Sequence, residues 1–499
     1  MASKHQVSQY SRESNARSFL KNLISFKCFQ YVCVLTMSPS ERNIENLPAP
    51  MKRKFGKNKF DVTTLALGGQ ASIQWTPNDV DPVEIILKAF KLGINYFDTS
   101  NLYDGSQLNF NKAFKKINLI PGEKKYDKKL RESIWLTSKT AMRWGKPGWP
   151  IKQNVRNISN GKNVQCAVDD VKRSLTQIFG DGKGSYPDGA YLDMVLCHTV
   201  QSTEEVDILY KGLETPVDPD NNFGALVALR DLRDGTNHTG MNPNKEKLIK
   251  HIGFSGHTNP PAMMDMIQRD EFEVLDGMLI ALNANDKTKM NMQHNVIPVA
   301  EAKGLGIIGM KVFADAAMYG KEPRFSRTPA DVFRKVGTPE LPSKSLIEYA
   351  LTTPGVHTVI IGIGHIDDDP IKCQLVQNYI AAQIEADGLS VEERRMIEER
   401  TKALKPDSNY FMTFDMVGLS GPRDPNLVGN TVTWHSAIAG DDPISHYEVY
   451  VNDELVGKVE HQPQILKNKP FLFKLKKTVG EIMITAIDIA GNRATSRIS

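Results

Sequence analysis

Short runs of β-branched and other apolar residues alternate with amphipathic helical segments along most of this chain, and that alternation constrains the fold more than any other feature. The apolar runs occupy residues 62–69, 95–100, 134–140, 193–198, 249–256, 274–283, 306–312 and 356–364. The helical segments occupy residues 82–92, 106–117, 164–179, 222–233, 260–269, 290–303 and 343–351, followed by 370–384 and 391–404. Nearly continuous apolar runs are typical of parallel strands covered on both faces. Eight such units over about 300 residues predict the α/β fold class and a closed (β/α)8 barrel, that is, a TIM barrel.

A second structural unit follows the barrel. The chain has 499 residues, and single hydrophobic cores stop growing near ~250–300 residues. After Pro406 the apolar pattern changes to a period of two, which predicts a small antiparallel β-sandwich. We expect a poorly ordered leader at 1–55, the barrel at 56–405, a linker at 406–421 and the sandwich at 422–499. Because the two cores follow different periods, we expect the barrel to fold without the sandwich.

Composition excludes several classes of protein. The 62 Lys and Arg residues against 58 Asp and Glu give a net charge of +4, which is too small to predict nucleic acid or a membrane surface as the main partner. Five scattered cysteines exclude a disulfide scaffold. Lys21 and Lys27 interrupt the best candidate for a membrane span, residues 19–37. We therefore expect a cytoplasmic protein, and the alternative is a targeting segment at this end of the chain.

Four ionisable residues lie at or just after the ends of successive predicted strands: Asp98, Tyr103, Lys139 and His198. Because the carboxyl ends of the strands surround the active face of such a barrel, we expect these side chains to meet at one mouth. The set is suited to protonating an oxygen while hydride arrives at the adjacent carbon. Tyrosine supplies the proton, and a nearby ammonium lowers the tyrosine pKa from its ordinary value of ~10. The carboxylate holds the ammonium, and the imidazole orients the carbonyl oxygen.

The residues around this set resemble those of the aldo-keto reductase family. Residues 93–103 read GINYFDTSNLY, in which Asp98 and Tyr103 have the spacing of the family signature. Lys139 within WLTSK and His198 within LDMVLCH match the family's Lys and His strands. The resemblance covers the predicted barrel. It implies an NAD(P)-dependent oxidoreductase that reduces a small aldehyde, ketone or sugar carbonyl, or oxidises the alcohol, with the tyrosine as general acid.

The resemblance also implies residues that contact the nicotinamide of the cofactor. Ser255, within IGFSGH, matches the family's serine that contacts the nicotinamide amide, although Gly256 replaces the usual Asn. The usual Gln partner of that amide is replaced by Leu279, and Asn283 a few residues later is the candidate in its place. These departures from the family pattern weaken the cofactor prediction more than the catalytic one.

The remaining cofactor candidates follow the last two predicted strands. Phe313, beside Lys311, is the candidate for the aromatic ring that stacks on nicotinamide. Gly362 and Gly364 match the family loop that contacts cofactor phosphate. The acidic residues 367–369 would repel a 2′-phosphate and suit NAD, unless they cap the next helix. We expect NADP, the family's usual cofactor, with NAD as the alternative.

Two other functions stay open. The replaced cofactor residues suit a catalytically weak barrel that senses a nucleotide or serves as a scaffold. The sandwich resembles fibronectin type III and immunoglobulin-like modules through Trp434 and Tyr447, so it is a candidate for protein or glycan contact. Trp144 and Trp149 lie in a loop of the barrel mouth, where they either stack on a sugar or pack the loop. With the sandwich, they suit a sugar-binding cell-surface protein.

Two smaller groups of residues bear on ligand binding. Tyr410, Phe411 and Phe414 follow the last predicted helix and are candidates for the rim of the pocket. His257 and His294 lack the spacing of a metal-binding pair, so we expect no metal site. No GxGxxG motif follows the first strand, which disfavours a Rossmann domain.

Overall fold

Eight parallel strands close into a barrel in the computed structural model, which describes residues 47–75, 80–149, 153–214, 216–218, 222–286, 291–362, 365–406, 418–476 and 480–498. An antiparallel ribbon of β1 (Lys52–Lys54) and β2 (Asp61–Thr63) precedes the barrel. The barrel strands are β3 (Leu65–Gly68), β4 (Tyr96–Asp98), β5 (Trp135–Thr140), β6 (Leu192–Cys197), β7 (Ile249–Gly256), β8 (Gly277–Ala281), β9 (Gly306–Met310) and β10 (Thr358–Ile361). Pairing of β3 with β10 closes the sheet and confirms the predicted (β/α)8 fold.

Helices cover the outer face of the barrel. They are α1 (Pro82–Lys91), α2 (Ser106–Lys116), α3 (Lys128–Glu132), α4 (Ala167–Phe179), α5 (Thr203–Tyr210), α6 (Ala225–Asp234), α7 (Pro260–Gln268), α8 (Val296–Ala302), α9 (Ser343–Leu351), α10 (Gln374–Ala381) and α11 (Val391–Leu404). Several begin at a side-chain cap, as where Asp81 accepts the N–H of Val83 at 2.8 Å. The helix predicted at 370–384 begins only at Gln374, because Asp369 instead caps a separate turn by accepting the N–H of Ile371 at 3.1 Å.

The N-terminal end of the barrel is closed by residues that precede its first strand. Phe55 is fully buried and packs edge-on against Trp135, with ring centroids 5.0 Å apart. Arg53 donates hydrogen bonds of 2.7–2.9 Å to three backbone carbonyls of the barrel. Residues 47–55, which the sequence places in the leader, therefore pack against the barrel. The rest of the predicted leader, 1–46, lies outside the described residues.

The C-terminal region is a sandwich of two antiparallel sheets. Its strands are β11 (Arg423–Val428), β12 (Thr431–His435), β13 (Ile444–Val451), β14 (Glu454–Glu460), β15 (Phe471–Lys474), β16 (Ile482–Asp488) and β17 (Arg493–Ile498). One sheet has the order β11-β12-β15 and the other β14-β13-β16-β17. Trp434 and Tyr447, one from each sheet, are fully buried in the shared core with ring centroids 5.5 Å apart. The predicted sandwich is confirmed, and its specific likeness to fibronectin type III stays a prediction.

The sandwich is docked on the barrel through buried hydrogen bonds to α8 and the loop before it. Asn295, only 3 % exposed, exchanges two hydrogen bonds of 2.8 and 3.1 Å with the backbone of Ala439. Asn291 is fully buried and donates to the carbonyl oxygen of Gly440 at 2.8 Å. Ile438 packs into the apolar core of the barrel itself. The two units therefore share an interface with buried polar groups.

Three further expectations concern the rim of the pocket, membrane spans and metal sites. The predicted rim residues Tyr410, Phe411 and Phe414 fall in 407–417, outside the described residues. Within the part of the chain that the structure describes, no helix combines the length and hydropathy needed to cross a membrane. No group of three or more His, Cys, Asp or Glu side chains in that same part is arranged to hold a metal ion.

Candidate active site

The four residues expected at the barrel mouth lie together there. Asp98 ends β4, Lys139 lies near the end of β5, and His198 follows β6. All four side chains are buried, since none of the residues is more than 9 % exposed. The Nζ of Lys139 donates to Asp98 Oδ1 at 2.5 Å and to the carbonyl oxygen of Thr99 at 2.9 Å. The same Nζ lies 4.7 Å from the ring centroid of Tyr103, whose ring stands edge-on to that of His198 with centroids 5.8 Å apart.

Tyr103 is held in this position by the turn between β4 and α2. Its backbone N–H donates to the carbonyl oxygen of Ser100 at 3.0 Å, and its carbonyl oxygen accepts the N–H of Ser106 at 2.7 Å. The Oγ of Ser106 also lies 2.9 Å from the Oγ of Thr99, which joins the turn to the end of β4. A tight turn after a barrel strand therefore returns the phenol over the mouth.

Burial and charge set the protonation of the first three groups. Burial raises the pKa of Asp98 and lowers the pKa of Lys139, and the charge of each partner opposes the shift of the other. Burial and the carboxylate of Asp98 raise the pKa of Tyr103 well above its ordinary value. The lowering of the tyrosine pKa expected from Lys139 is outweighed, because burial and the carboxylate of Asp98 act in the opposite direction. Tyr103 is therefore a neutral phenol that keeps its proton.

His198 is a neutral imidazole. Burial lowers its pKa well below the ordinary value, and the charges of Arg156 and Lys139 lower it further. Its Nδ1 atom is buried and has no hydrogen-bond partner among the described residues. A neutral imidazole carries one N–H donor and one acceptor nitrogen, so His198 is able to hydrogen-bond a substrate oxygen without carrying charge.

A cleft of about 860 Å³, partly open to solvent, lies beside Asp98. Its walls are the ends of β3, β9 and β10 and residues from the segment 326–336. Three of the predicted cofactor residues line it: Lys311, Phe313 and Gly362. The cleft therefore connects the catalytic candidates to the strand ends where the sequence predicts a cofactor.

The cleft has features that fit the phosphates of a dinucleotide. A Cβ on Gly362 would lie 2.7 Å from the carbonyl oxygen of Gln70, and one on Gly68 would lie 3.2 Å from the backbone N of Gly362. Glycine is required at this floor because a larger residue would strike backbone atoms. Lys311 and Arg334 place two cations on the walls. A backbone-lined floor with cations beside it is a recurring way to bind phosphate.

One wall of the cleft has an unusual concentration of backbone strain. Lys311, Ala314, Asp315 and Ala316 are non-glycine residues with φ of 59°, 49°, 55° and 69°. Residues held in this left-handed region cost about 1–3 kcal/mol each and cluster at functional sites. Asp315 secures the wall by accepting a hydrogen bond of 2.6 Å from Lys321 Nζ. The strained segment supports a binding role for this wall.

Two further cofactor candidates, Ser255 and Asn283, do not line the cleft. Ser255 is fully buried, and its Oγ accepts the N–H of Thr199 at 2.8 Å, so it supports the loop after β6. Asn283 uses its Oδ1 to accept the N–H of Asn285 at 2.9 Å, which closes a turn after β8. Gly364 lies outside the described residues. Sequence position alone did not reveal that these two polar side chains accept backbone N–H groups of loops.

Sequence reasoning missed a buried ion pair next to His198. Arg143 Nη2 donates to the carbonyl oxygens of His198 and Thr199 at 2.8 Å each and pairs with Glu205 Oε2 at 3.0 Å. Glu205 Oε1 also accepts the N–H of Arg156 at 2.6 Å. Both arginines lie in the insertion after β5, which has no hydrophobic period. The only feature of the sequence that pointed to these arginines was their position after a barrel strand.

The two tryptophans of that insertion pack with each other. The ring centroids of Trp144 and Trp149 are 5.9 Å apart, and Trp144 is only 3 % exposed. Val155 and Ile208 complete this small apolar cluster. Of the two expectations for these rings, the structure therefore favours loop packing over stacking on a sugar.

Comparison with known proteins places the barrel in a family. Residues 64–367, more than half of the chain, match the sequence model of the Aldo/keto reductase family. The Bacillus subtilis (strain 168) protein named "Uncharacterized oxidoreductase YqkF" is 24% identical over 369 residues, which cover 71% of this chain and 95% of that protein.

Two solved structures of an aldo-keto reductase from Klebsiella pneumoniae are each 16% identical to this chain. The one in complex with NADP and acetate covers 72% of this chain and 96% of its own, with a TM-score of 0.42. The one in complex with NADPH covers 74% and 100%, with a TM-score of 0.44. Structural similarity at this level carries no argument about ligands. On the family match, the chain belongs to the aldo/keto reductase family, a family of oxidoreductases.

Proposed function

We propose that this chain is an NAD(P)-dependent oxidoreductase that reduces an aldehyde or ketone, or oxidises the corresponding alcohol. The observation that carries the proposal is the convergence of Asp98, Tyr103, Lys139 and His198 in one buried mouth beside a cleft. The family match and the oxidoreductase name of the Bacillus subtilis relative support this class of reaction.

The proposed cofactor is NADP(H), with NAD(H) as the alternative. Gly68 and Gly362 would hold it at the floor of the cleft, and Lys311 would supply positive charge for its phosphates. The acidic residues 367–369 do not argue strongly for NAD, because part of their charge is used locally. The carboxylate of Asp367, for example, accepts the N–H two residues later at 2.8 Å. The nicotinamide, when bound, supplies the hydride for reduction.

The chain's own residues handle the proton. Tyr103 donates its hydroxyl proton to the substrate oxygen as negative charge develops there, since a developing alkoxide is more basic than a phenolate. Lys139, held by Asp98, stabilises the phenolate that remains. His198 binds the same substrate oxygen as a neutral hydrogen-bonding group and fixes its direction toward Tyr103. Burial of the mouth excludes water from this transfer.

Replacement of the proposed acid gives the most direct test. Tyr103→Phe removes one hydroxyl and leaves the ring that packs against His198. We expect kcat with an aldehyde substrate to fall by about 10²–10⁴-fold, while the affinity for NADPH changes little. Steady-state kinetics with a panel of aldehydes and quenching of protein fluorescence by NADPH measure the two quantities.

A matched control uses the same chemical change on the opposite face of the barrel. Tyr186, whose hydroxyl donates to Glu246 at 3.1 Å, lies near the start of β7 and away from the mouth. We expect Tyr186→Phe to keep normal turnover. Near-normal turnover by Tyr103→Phe would show that another group, with His198 as the next candidate, donates the proton.

A nucleotide-sensing barrel is the second candidate function. It is favoured by one observation: Ser255 and Asn283, the two candidates for holding the nicotinamide amide, accept backbone N–H groups of loops and do not line the cleft. Binding of NADPH with no turnover across a broad carbonyl panel would support this function over the reductase.

A further inference from the structure

One cation next to the catalytic mouth is fixed in position through its backbone. The N–H of Arg156 donates to Glu205 Oε1 at 2.6 Å, and Glu205 Oε2 pairs with Arg143 at 3.0 Å. Arg143 in turn donates to the carbonyl oxygen of His198. Arg156 is therefore joined to the catalytic loop after β6 by a short chain of buried polar contacts.

The charge of Arg156 acts on the reacting groups. Its positive charge lowers the pKa values of His198 and His257 and opposes the rise in the pKa of Tyr103. Burial and the nearby charge of Arg143 lower the pKa of Arg156 itself. Its Nε is buried and has no hydrogen-bond partner among the described residues. Arginine carries five N–H donors and no acceptor, so this unpartnered Nε is able to donate to a ligand.

Other cations around the mouth have carboxylate partners. These pairs are Lys139 with Asp98 at 2.5 Å, Arg143 with Glu205 at 3.0 Å and Lys321 with Asp315 at 2.6 Å. No ion pair within the described ranges involves the guanidinium of Arg156, and both oxygens of Glu205 are already engaged. Arg156 is half-buried, and an anionic ligand would stabilise a partly desolvated cation that has no ion pair among the described residues.

We propose that Arg156 binds a carboxylate group on the substrate, so that the preferred substrates are carbonyl compounds that also carry an acid group. This proposal rests on the proposed reductase function and names its substrate class. The planar guanidinium fork matches a carboxylate in a two-point hydrogen bond. The carbonyl oxygen then lies between Tyr103 and His198 while the acid group extends toward the insertion after β5.

The test compares two aldehydes that differ by one carboxylate, 4-carboxybenzaldehyde and benzaldehyde, with NADPH. The readout is the ratio of their kcat/KM values, in which effects of Arg156 on Tyr103 itself cancel. We expect the wild type to favour the acid by at least tenfold. Arg156→Met should lower the ratio by about 10- to 100-fold. Arg156→Lys should keep part of the preference for the acid, because lysine retains a positive point charge. Lys162→Met, an exposed cation of the same insertion, should leave the ratio unchanged.

The outcomes separate the two proposals. A wild-type ratio near one, or an unchanged ratio in a folded Arg156→Met, overturns the role of Arg156 while leaving the reductase intact. Arg156→Lys provides the same measurement if the methionine variant does not fold. Absence of turnover with both aldehydes counts against the reductase function. In that case, calorimetry with 4-(hydroxymethyl)benzoate, the alcohol formed by reducing 4-carboxybenzaldehyde, tests the role of Arg156 by binding alone. Weaker binding to Arg156→Met than to the wild type supports the carboxylate site, and no binding to the wild type overturns it.

Discussion

The barrel mouth buries charged side chains, whereas the sandwich core buries apolar and aromatic ones. The mouth buries charged pairs: Lys139 with Asp98, and Arg143 with Glu205, with side chains at most 2% exposed. The sandwich buries apolar and aromatic groups such as Trp434. Buried ion pairs contribute little net stability, because desolvation offsets their attraction. A further buried pair, Arg131 with Asp193 at 2.7 Å, lies at the start of β6. The two pairs at the mouth differ from it in lying beside the reacting groups, and they are therefore better explained by chemistry than by folding.

The sandwich pairs a buried carboxylate with solvated cations. Glu448, whose side chain is 7% exposed, pairs with Lys458 at 2.7 Å and with Arg493 at 2.5 Å, and the side chains of these two cations are 53% and 50% exposed. Because the cations are solvated and Glu448 keeps one partner when the other is removed, each pair contributes about 0–1 kcal/mol. The comparison indicates that the sandwich serves stability and docking, whereas the mouth sacrifices stability to hold reactive groups.

The largest expected effect separates the two kinds of ion pair. Lys139→Met leaves Asp98 buried without its counter-ion, so we expect a loss of about 3–5 kcal/mol in the free energy of unfolding and a loss of turnover. Lys458→Met, the matched change in the sandwich, should cost less than about 1 kcal/mol and keep full turnover. Denaturant unfolding and kcat with an aldehyde measure both effects.

The double variant Asp98→Asn/Lys139→Met serves as the control. Because it removes the orphaned carboxylate as well, it should recover part of the stability lost in Lys139→Met but none of the activity. Equal stability of Lys139→Met and the wild type would show that the mouth is more hydrated than its burial indicates.

The next effect concerns the interface between the two units. The contacts of Asn295 and Ile438 change the sequence-based expectation that the barrel folds alone. We expect a chain ending at Pro406 to be insoluble or strongly destabilised, because it exposes an apolar surface and unpairs buried amides. In the full chain, Asn295→Ala should cost about 1–3 kcal/mol by leaving the backbone of Ala439 unpaired. Denaturant unfolding and gel filtration provide the measurements.

An exposed asparagine inside the sandwich provides the comparison for that variant. Asn430 donates to the carbonyl oxygen of Leu475 at 3.1 Å, and we expect Asn430→Ala to cost less than about 1 kcal/mol. A soluble, monomeric barrel with an unchanged melting temperature would show that the interface is dispensable and that the two units fold independently.

The smallest expected effects are changes in stability with pH, which have opposite directions in the barrel and the sandwich. Burial raises the pKa of Asp170 in the barrel to about 7, above the unfolded value of ~3.9, so its stabilising contribution is lost as pH rises through about 7. Burial lowers the pKa of His461 in the sandwich to about 4, below the unfolded value of ~6.5, so stability is lost as pH falls from about 6.5 to 4. Each slope is at most about 1.4 kcal/mol per pH unit.

Two variants assign these slopes. Asp170→Asn should flatten the decline of stability between about pH 5 and 7, and His461→Gln should flatten the acid decline between about pH 6.5 and 4. Asp286, buried in the barrel with a pKa of about 7, leaves a residual slope of the same sign as that of Asp170. Melting temperatures measured across this pH range would contradict the assignment if neither variant flattened the decline in stability that is assigned to its residue.

Much of the fold and the centre of the site could be predicted from the sequence. The period of apolar residues identifies parallel strands and their order, and parallel strands end at one face of a barrel. Asp98, Lys139 and His198 sit at those ends, so their convergence with Tyr103 follows from topology. Glycines such as Gly362 could be placed in the cleft for the same reason.

The rest depends on contacts that have no period. The insertion after β5 carries Arg143 and Arg156, and only its folded path brings them beside His198. The direction of a side chain at a strand end has no period either: Ser255 faces a backbone N–H of the loop after β6, whereas Lys311 faces the cleft. Burial, together with the carboxylate of Asp98, also reverses the simple expectation for the pKa of Tyr103.

The sequence by itself determined the barrel, the sandwich and the four-residue set, because hydrophobic periodicity and strand order are written along the chain. The tertiary structure alone decided which charges are neutralised, which cation has no carboxylate partner among the described residues and how the sandwich docks through Asn291 and Asn295. These properties depend on distances between segments far apart in the chain. Electrostatic energy and desolvation vary with those distances and with burial, neither of which is encoded in local pattern.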